Sequence, residues 1–157
     1  MTEAEERQAV VDAARSWIGT PFHNCASVKG RSGGIDCANL LARAYEESGV
    51  CPPIDTGVYP PAWFLHRDEE RFVEFVLRYG VEISEEDVGP GDTVLYRIGR
   101  CFAHGAIVVR WPEEIIHAHM SSRMVTPFGG YDGDLQGRAT RFFTMWPRSG
   151  RAPRHGV

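Results

Sequence analysis

Apolar positions recur at helical spacing near the start of the chain. Val10, Val11, Ala14, Trp17 and Ile18 fall at i, i+1, i+4, i+7 and i+8, which predicts a helix over residues 3–18. Gly19-Thr20-Pro21 ends it. Residues 22–35 read as a loop with a glycine-rich end, Gly30-Arg31-Ser32-Gly33-Gly34. A second helix is predicted over 36–48, with Cys37, Leu41, Ala44 and Tyr45 on one face and Asp36 placed to cap it. A proline-rich connection, 51–61, leads to a third predicted helix, 67–79, striped by Phe72, Phe75, Val76 and Tyr79. After Gly80 the period changes. Val88-Gly89-Pro90-Gly91-Asp92 is turn chemistry, and 93–98, 104–111, 114–119, 123–126 and 142–146 read as short strands. Helices followed by an antiparallel meander define an α+β fold.

Length and composition sharpen this picture slightly. At 157 residues, 43% hydrophobic and a mean hydropathy of -0.28, the chain is expected to form one domain over 1–147. Residues 148–157 hold three arginines, a histidine and no acid, and are expected to form a basic, disordered tail. The net charge of -4 gives no electrostatic reason for nucleic-acid binding. The acidic opening, Met1-Thr2-Glu3-Ala4-Glu5-Glu6, has no apolar core of a secretory signal, and no run approaches the ~18 apolar residues of a membrane span. The expectation is synthesis in the cytoplasm without membrane insertion. The four cysteines form no C-x-x-C pair and are too sparse for a disulfide framework.

The candidate chemistry centres on Asp36-Cys37. A cysteine in the first turn of a helix meets the positive end of the helix dipole and unpaired N–H groups, which favour the nucleophilic thiolate. A thiol nucleophile needs a base, and the base needs an orienting partner on its other ring nitrogen. His104 and His117 lie on strands joined by the turn Arg110-Trp111-Pro112-Glu113, so they are expected to be neighbours. His117 and His119 would face the same side of their strand, which leaves either of them open as the third residue. A competing arrangement takes Cys101, His104, His117 and His119 as zinc ligands, without a C-x-x-C knuckle to support it. Cys25 is a rival nucleophile without a helix start behind it. The Gly30–Gly34 stretch lacks the Gly-Lys-Ser/Thr of a phosphate loop.

Five segments in order, Trp17-Ile18-Gly19-Thr20-Pro21-Phe22, Gly34-Ile35-Asp36-Cys37, Pro90-Gly91-Asp92-Thr93-Val94-Leu95-Tyr96, His104-Gly105-Ala106-Ile107-Val108 and Ile115-Ile116-His117-Ala118, resemble the NlpC-type cell-wall cysteine peptidases. The resemblance implies a papain-like α+β domain, with the nucleophile helix packed on an antiparallel sheet. It implies hydrolysis of peptidoglycan stem peptides between D-glutamate and a diamino acid, without metal or cofactor. Cys37 would be the nucleophile, His104 the base and His117 the orienting residue. Asp36 and Phe22 would contact substrate, Asp36 by helping to hold a free amine. Two departures stand out. Phe22 occupies the position where the family usually has a tyrosine whose hydroxyl helps at the site, and Ala38-Asn39 follows Asp-Cys where Ser-Gly is usual. The stretch His23-Asn24-Cys25-Ala26-Ser27-Val28-Lys29-Gly30 looks like the branch carried in phage tails and gene transfer agents. That implies tail-hub or tail-tip proteins as partners and delivery to the wall on a particle.

Overall fold

A computed structural model describes residues 1–57 and 70–147. Helix α1 (Glu3–Arg15) starts at Thr2, whose hydroxyl accepts from the Glu5 amide while the Glu5 carboxylate accepts from the Thr2 amide. It stops three residues short of the expected end. The Ser16 hydroxyl donates to the Ala13 carbonyl at 2.6 Å, and Trp17 and Ile18 continue as a tighter turn. Trp17 is still buried, so the apolar pattern outlasts the helix that it predicts.

The expected loop after α1 contains a small hairpin, β1 (Ser27–Val28) and β2 (Gly34–Ile35). Two-residue strands carry no readable alternation, which is why the sequence does not announce them. A Cβ on Gly33 would lie 1.8 Å from the Val28 carbonyl oxygen, so the glycine-rich stretch serves a tight backbone approach. Lys29, the only lysine, donates to Ser16 Oγ and to Glu47 and sits over the Trp17 ring, tying the hairpin to both helices.

Helix α2 (Cys37–Glu47) follows, and α3 (Arg71–Leu77) falls within the helix expected over 67–79, ending two residues before the expected stop, where Arg78 and Tyr79 form a turn. Positions 67–69, the end of the proline-rich connection and the basic tail lie outside the described residues. The strands are β3 (Val81–Ile83), β4 (Thr93–Ile98), β5 (Cys101–Arg110), β6 (Glu114–His119), β7 (Met124–Phe128) and β8 (Thr140–Thr144). They form one antiparallel sheet in the order β3-β8-β4-β5-β6-β7. β3 was not expected, and β8 begins two residues before the predicted strand. Both are explained by pairing, since β3 exists through its register with β8.

Alternation along β4 splits the core. Leu95 faces α1 and α2 with Val10, Leu41, Ile107 and Phe143, while Val94 and Tyr96 face Ala106, Val108 and Leu135 on the other side. The Pro90–Thr93 turn clasps the helices to this sheet. The Arg7 guanidinium donates to the Pro90 carbonyl at 2.8 Å and lies 3.0 Å from the buried Asp92 carboxylate. The Tyr45 hydroxyl donates to the Gly91 carbonyl at 2.6 Å and meets Thr93 Oγ1 at 2.8 Å. This segment of the resemblance is therefore structural. None of the four cysteines is in a disulfide. Among the described residues no helix is long and apolar enough to cross a membrane.

Candidate active site

A cleft of about 490 Å³ opens where the N-terminus of α2 meets β5 and β6. Phe22, Asn24, Asp36, Cys37, His104 and His119 line it, and Arg71, Arg78 and Arg138 bring positive charge to its walls.

Cys37 is the first residue of α2, as expected, and Asp36 is its N-cap. Asp36 is buried and does more than cap. Its Oδ1 accepts from the Asn39 amide at 3.0 Å and from the Asn39 side-chain NH2 at 2.9 Å, while Oδ2 accepts from the Cys25 amide at 2.7 Å. One carboxylate thus fixes the 24–25 turn against the start of the nucleophile helix. Cys25 itself stands in the left-handed region at φ 57°, a conformation that costs a non-glycine residue energy unless its surroundings hold it.

The thiol of Cys37 lies 3.8 Å from the Ala103 carbonyl. Burial pushes it up to about 12, and the Asp36 charge adds to the rise. The backbone N–H groups of Gly105, Ala38 and Cys37 pull the other way. The helix start does favour thiolate, as the sequence suggests, but desolvation outweighs it, and the resting group is a neutral thiol.

His104 Nε2 is 2.8 Å from His117 Nδ1, with the rings edge to face at 5.0 Å. Burial, then the neighbouring His119, lowers His104 to about 4. Burial, then His104 and His119, lowers His117 to about 2. Both rings are neutral at physiological pH. His117 is fully buried, and its Nε2 has no hydrogen-bond partner among the described residues.

His119 shares the face of His117, as a two-residue period requires, and stacks on it at 4.5 Å and 14°. Yet it bonds elsewhere, to Ser122 Oγ at 2.5 Å through Nδ1 and to the Asp134 carboxylate at 2.9 Å through Nε2. Hydrogen bonding to His104 thus separates the two histidines that spacing leaves equivalent. Asp134 was missed because it lies in a single 3-10 turn, Gly133–Leu135, too short to leave a periodic signal, 15 residues beyond its partner. The four-ligand zinc arrangement is not assembled. Among the described residues no group of three or more His, Cys, Asp or Glu could hold a metal.

This architecture, a thiol at a helix start facing histidines on an antiparallel sheet, is the papain-like fold of NlpC/P60 domains. Similar solved structures include the peptidoglycan hydrolase RipB of Mycobacterium tuberculosis, at TM-score 0.60 and 21% identity over 92% of this chain and 68% of that one. An NLP/P60-family protein of Staphylococcus aureus, described as similar to a lipoprotein, matches at TM-score 0.61 and 18% identity, over 89% of this chain but only 42% of that one. RipD of M. tuberculosis, described as a non-catalytic NlpC/p60 domain protein adapted to peptidoglycan binding, matches at TM-score 0.60 and 14% identity over 90% and 98%. No protein-family model and no curated protein matches the sequence.

Proposed function

We propose that the protein is a cysteine endopeptidase that hydrolyses peptidoglycan stem peptides at bonds of the D-glutamyl–diamino acid type. The observation that carries this reading is the His104–His117 pair at a cleft that also holds Cys37. With Nε2 of His104 donating to His117 Nδ1, His104 Nδ1 is left as the base. It takes the thiol proton as Cys37 Sγ attacks the scissile carbonyl, then returns that proton to the leaving amine. Water, deprotonated by His104, releases the acyl group from the thioester. His117 is the positioning residue, since it selects the tautomer in which His104 can act.

Because the thiol is held neutral, proton transfer accompanies attack and no thiolate waits for substrate. The arginines of the cleft suit the free carboxylates of such stem peptides. Asp36 already accepts three hydrogen bonds, so it acts on a substrate amine as a fixed negative charge. Phe22 forms an apolar wall. The description of RipB as a peptidoglycan hydrolase supports the substrate class. Carriage at the tip of a phage-like tail, with tail-hub proteins as partners, belongs to the same proposal and rests on the resemblance of residues 23–30.

A second reading is peptidoglycan binding without turnover, as a structural tail component. Phe22, which has no hydroxyl, and the likeness to the non-catalytic RipD favour it. Mass spectrometry of sacculi digested by wild type and by Cys37→Ala separates the two. Hydrolysis expects new stem-peptide ends with wild type only. Binding alone expects intact muropeptides from both while each protein still sediments with sacculi. Mass spectrometry of purified particles tests the tail assignment.

A further inference from the structure

His117 is hydrogen-bonded at one end only. Its Nδ1 meets His104 Nε2 at 2.8 Å, while its Nε2 has no hydrogen-bond partner among the described residues. The torsion that turns an imidazole about its Cβ is broad, so a ring bonded at one nitrogen is free to swing unless its faces are packed. Swinging it would carry Nδ1 away from His104 and release the tautomer that leaves His104 Nδ1 bare. Ring packing limits that motion. His119 stacks on His117 at 4.5 Å and 14°, and Phe128 of β7 packs against it at 4.9 Å.

His119, unlike His117, is held at both nitrogens. A carboxylate only accepts, so Nε2 carries a hydrogen and donates it to Asp134 at 2.9 Å, while Nδ1 meets the Ser122 hydroxyl at 2.5 Å. Bonds to both nitrogens lie near the ring plane, and together they fix it. Asp134 is fixed in turn. The Ser121 hydroxyl donates to its carboxylate at 3.3 Å, and the Arg138 guanidinium donates to its carbonyl at 2.6 Å.

We propose that His119 and Asp134 are positioning residues of the reaction: Asp134 and Ser122 set the plane of His119, and the stacked face of His119 sets the angle at which His117 meets His104. This rests on the reading of His104 as the base. His119 acts through His117, since its own ring centre lies 6.4 Å from that of His104 and its nitrogens are bonded elsewhere. The catalytic pair is thereby extended by one stacked ring and one carboxylate, from the buried His117 to Asp134 at the wall of the cleft. The two-residue period of β6 makes this possible, because it puts the 117 and 119 rings on one face.

Nitrogen NMR of the imidazole rings reads the tautomers in the resting protein, without substrate. Wild type is expected to show one His104 species, with Nε2 protonated and Nδ1 bare. His119→Ala, which removes the stack, and Asp134→Ala, which leaves every ring in place, are expected to show mixed His104 tautomers. His119→Phe, a ring without anchors, should fall between wild type and His119→Ala. The Asp134 side chain is 45% exposed, so its loss is expected to leave the fold intact even where His119→Ala does not. With a synthetic stem peptide, kcat is expected to fall about tenfold in both alanine variants with KM within about twofold, a share of the ~10²-fold that a positioned base supplies. A single, unchanged His104 tautomer in both variants, or an unchanged kcat in both while only Tm falls, overturns the positioning role. Tautomers that respond in a protein without turnover support the positioning and overturn the peptidase reading on which its catalytic meaning rests.

Discussion

Gly105 is where the fold and the candidate chemistry are most tightly coupled. It sits on β5 next to His104, and its amide acts on the Cys37 sulfur. A Cβ there would lie 2.9 Å from Leu41 Cδ1, from Leu95 Cδ2 and from Phe72 Cζ. Ordinary contact needs half an ångström or more beyond that on all three sides at once. Leu41 is one turn after Cys37 on the same helix face, so relieving its contact pushes the nucleophile away from β5. Gly105→Ala is expected to cost about 1–3 kcal/mol as overpacking. For a chain of this length that lowers Tm by about 2–12 °C. Misplacing a reacting group by about 1 Å costs on the order of 10²-fold in kcat, so activity should fall much further than stability explains. Leu41→Ala makes room. Combined with Gly105→Ala it should recover part of both losses, and a cycle of the four proteins in urea and in steady-state hydrolysis reads the coupling. Wild-type Tm and kcat in Gly105→Ala, or strict additivity with Leu41→Ala, would refute the argument that this contact sets the helix-to-strand distance.

Three further outcomes follow from the same geometry. His117→Leu should lower kcat by about 10²-fold with little change in KM, and His117→Gln, which keeps an acceptor for His104, should lose less; equal kcat in all three proteins would remove the positioning role. Burial holds His104 and His117 below the ordinary histidine value, so between pH 6.5 and their folded values the unfolded chain binds protons that the folded one does not. Their stability contribution is complete above pH 6.5 and declines as pH falls, by about 2 kcal/mol per histidine between pH 7 and 5. Asp92, raised by burial, works in the opposite sense, so urea midpoints of wild type should be compared with those of His117→Phe; the same pH dependence in both would sink the assignment. Finally, iodoacetamide alkylation of Cys37 should rise about tenfold per pH unit from 7 to 9, as for a thiol pushed up by burial. A plateau from pH 6 upward would mean a preformed thiolate–imidazolium pair.

The parts of this molecule that were legible in advance are those with local causes. The apolar stripe of Val10, Val11 and Ala14, the Asp36 cap, Cys37 at the helix start and the hairpin between His104 and His117 each follow from a few neighbouring residues. The two-residue hairpin and β3 were not legible, because partners far along the chain make them strands. The same holds for Asp134, which reaches the site through its hydrogen bond to His119 and its charge near His104.

By itself, then, the sequence determined the helices, the meander and the identity of the reactive candidates, since periodicity and capping are properties of short stretches. Tertiary structure decided what those candidates are like. It separated His117 from His119, because spacing puts both on one face and only the packing of β5 against β6 selects a hydrogen-bond partner. It reversed the expected state of Cys37, because a helix dipole acts locally, whereas desolvation is the sum of everything that closes over the sulfur.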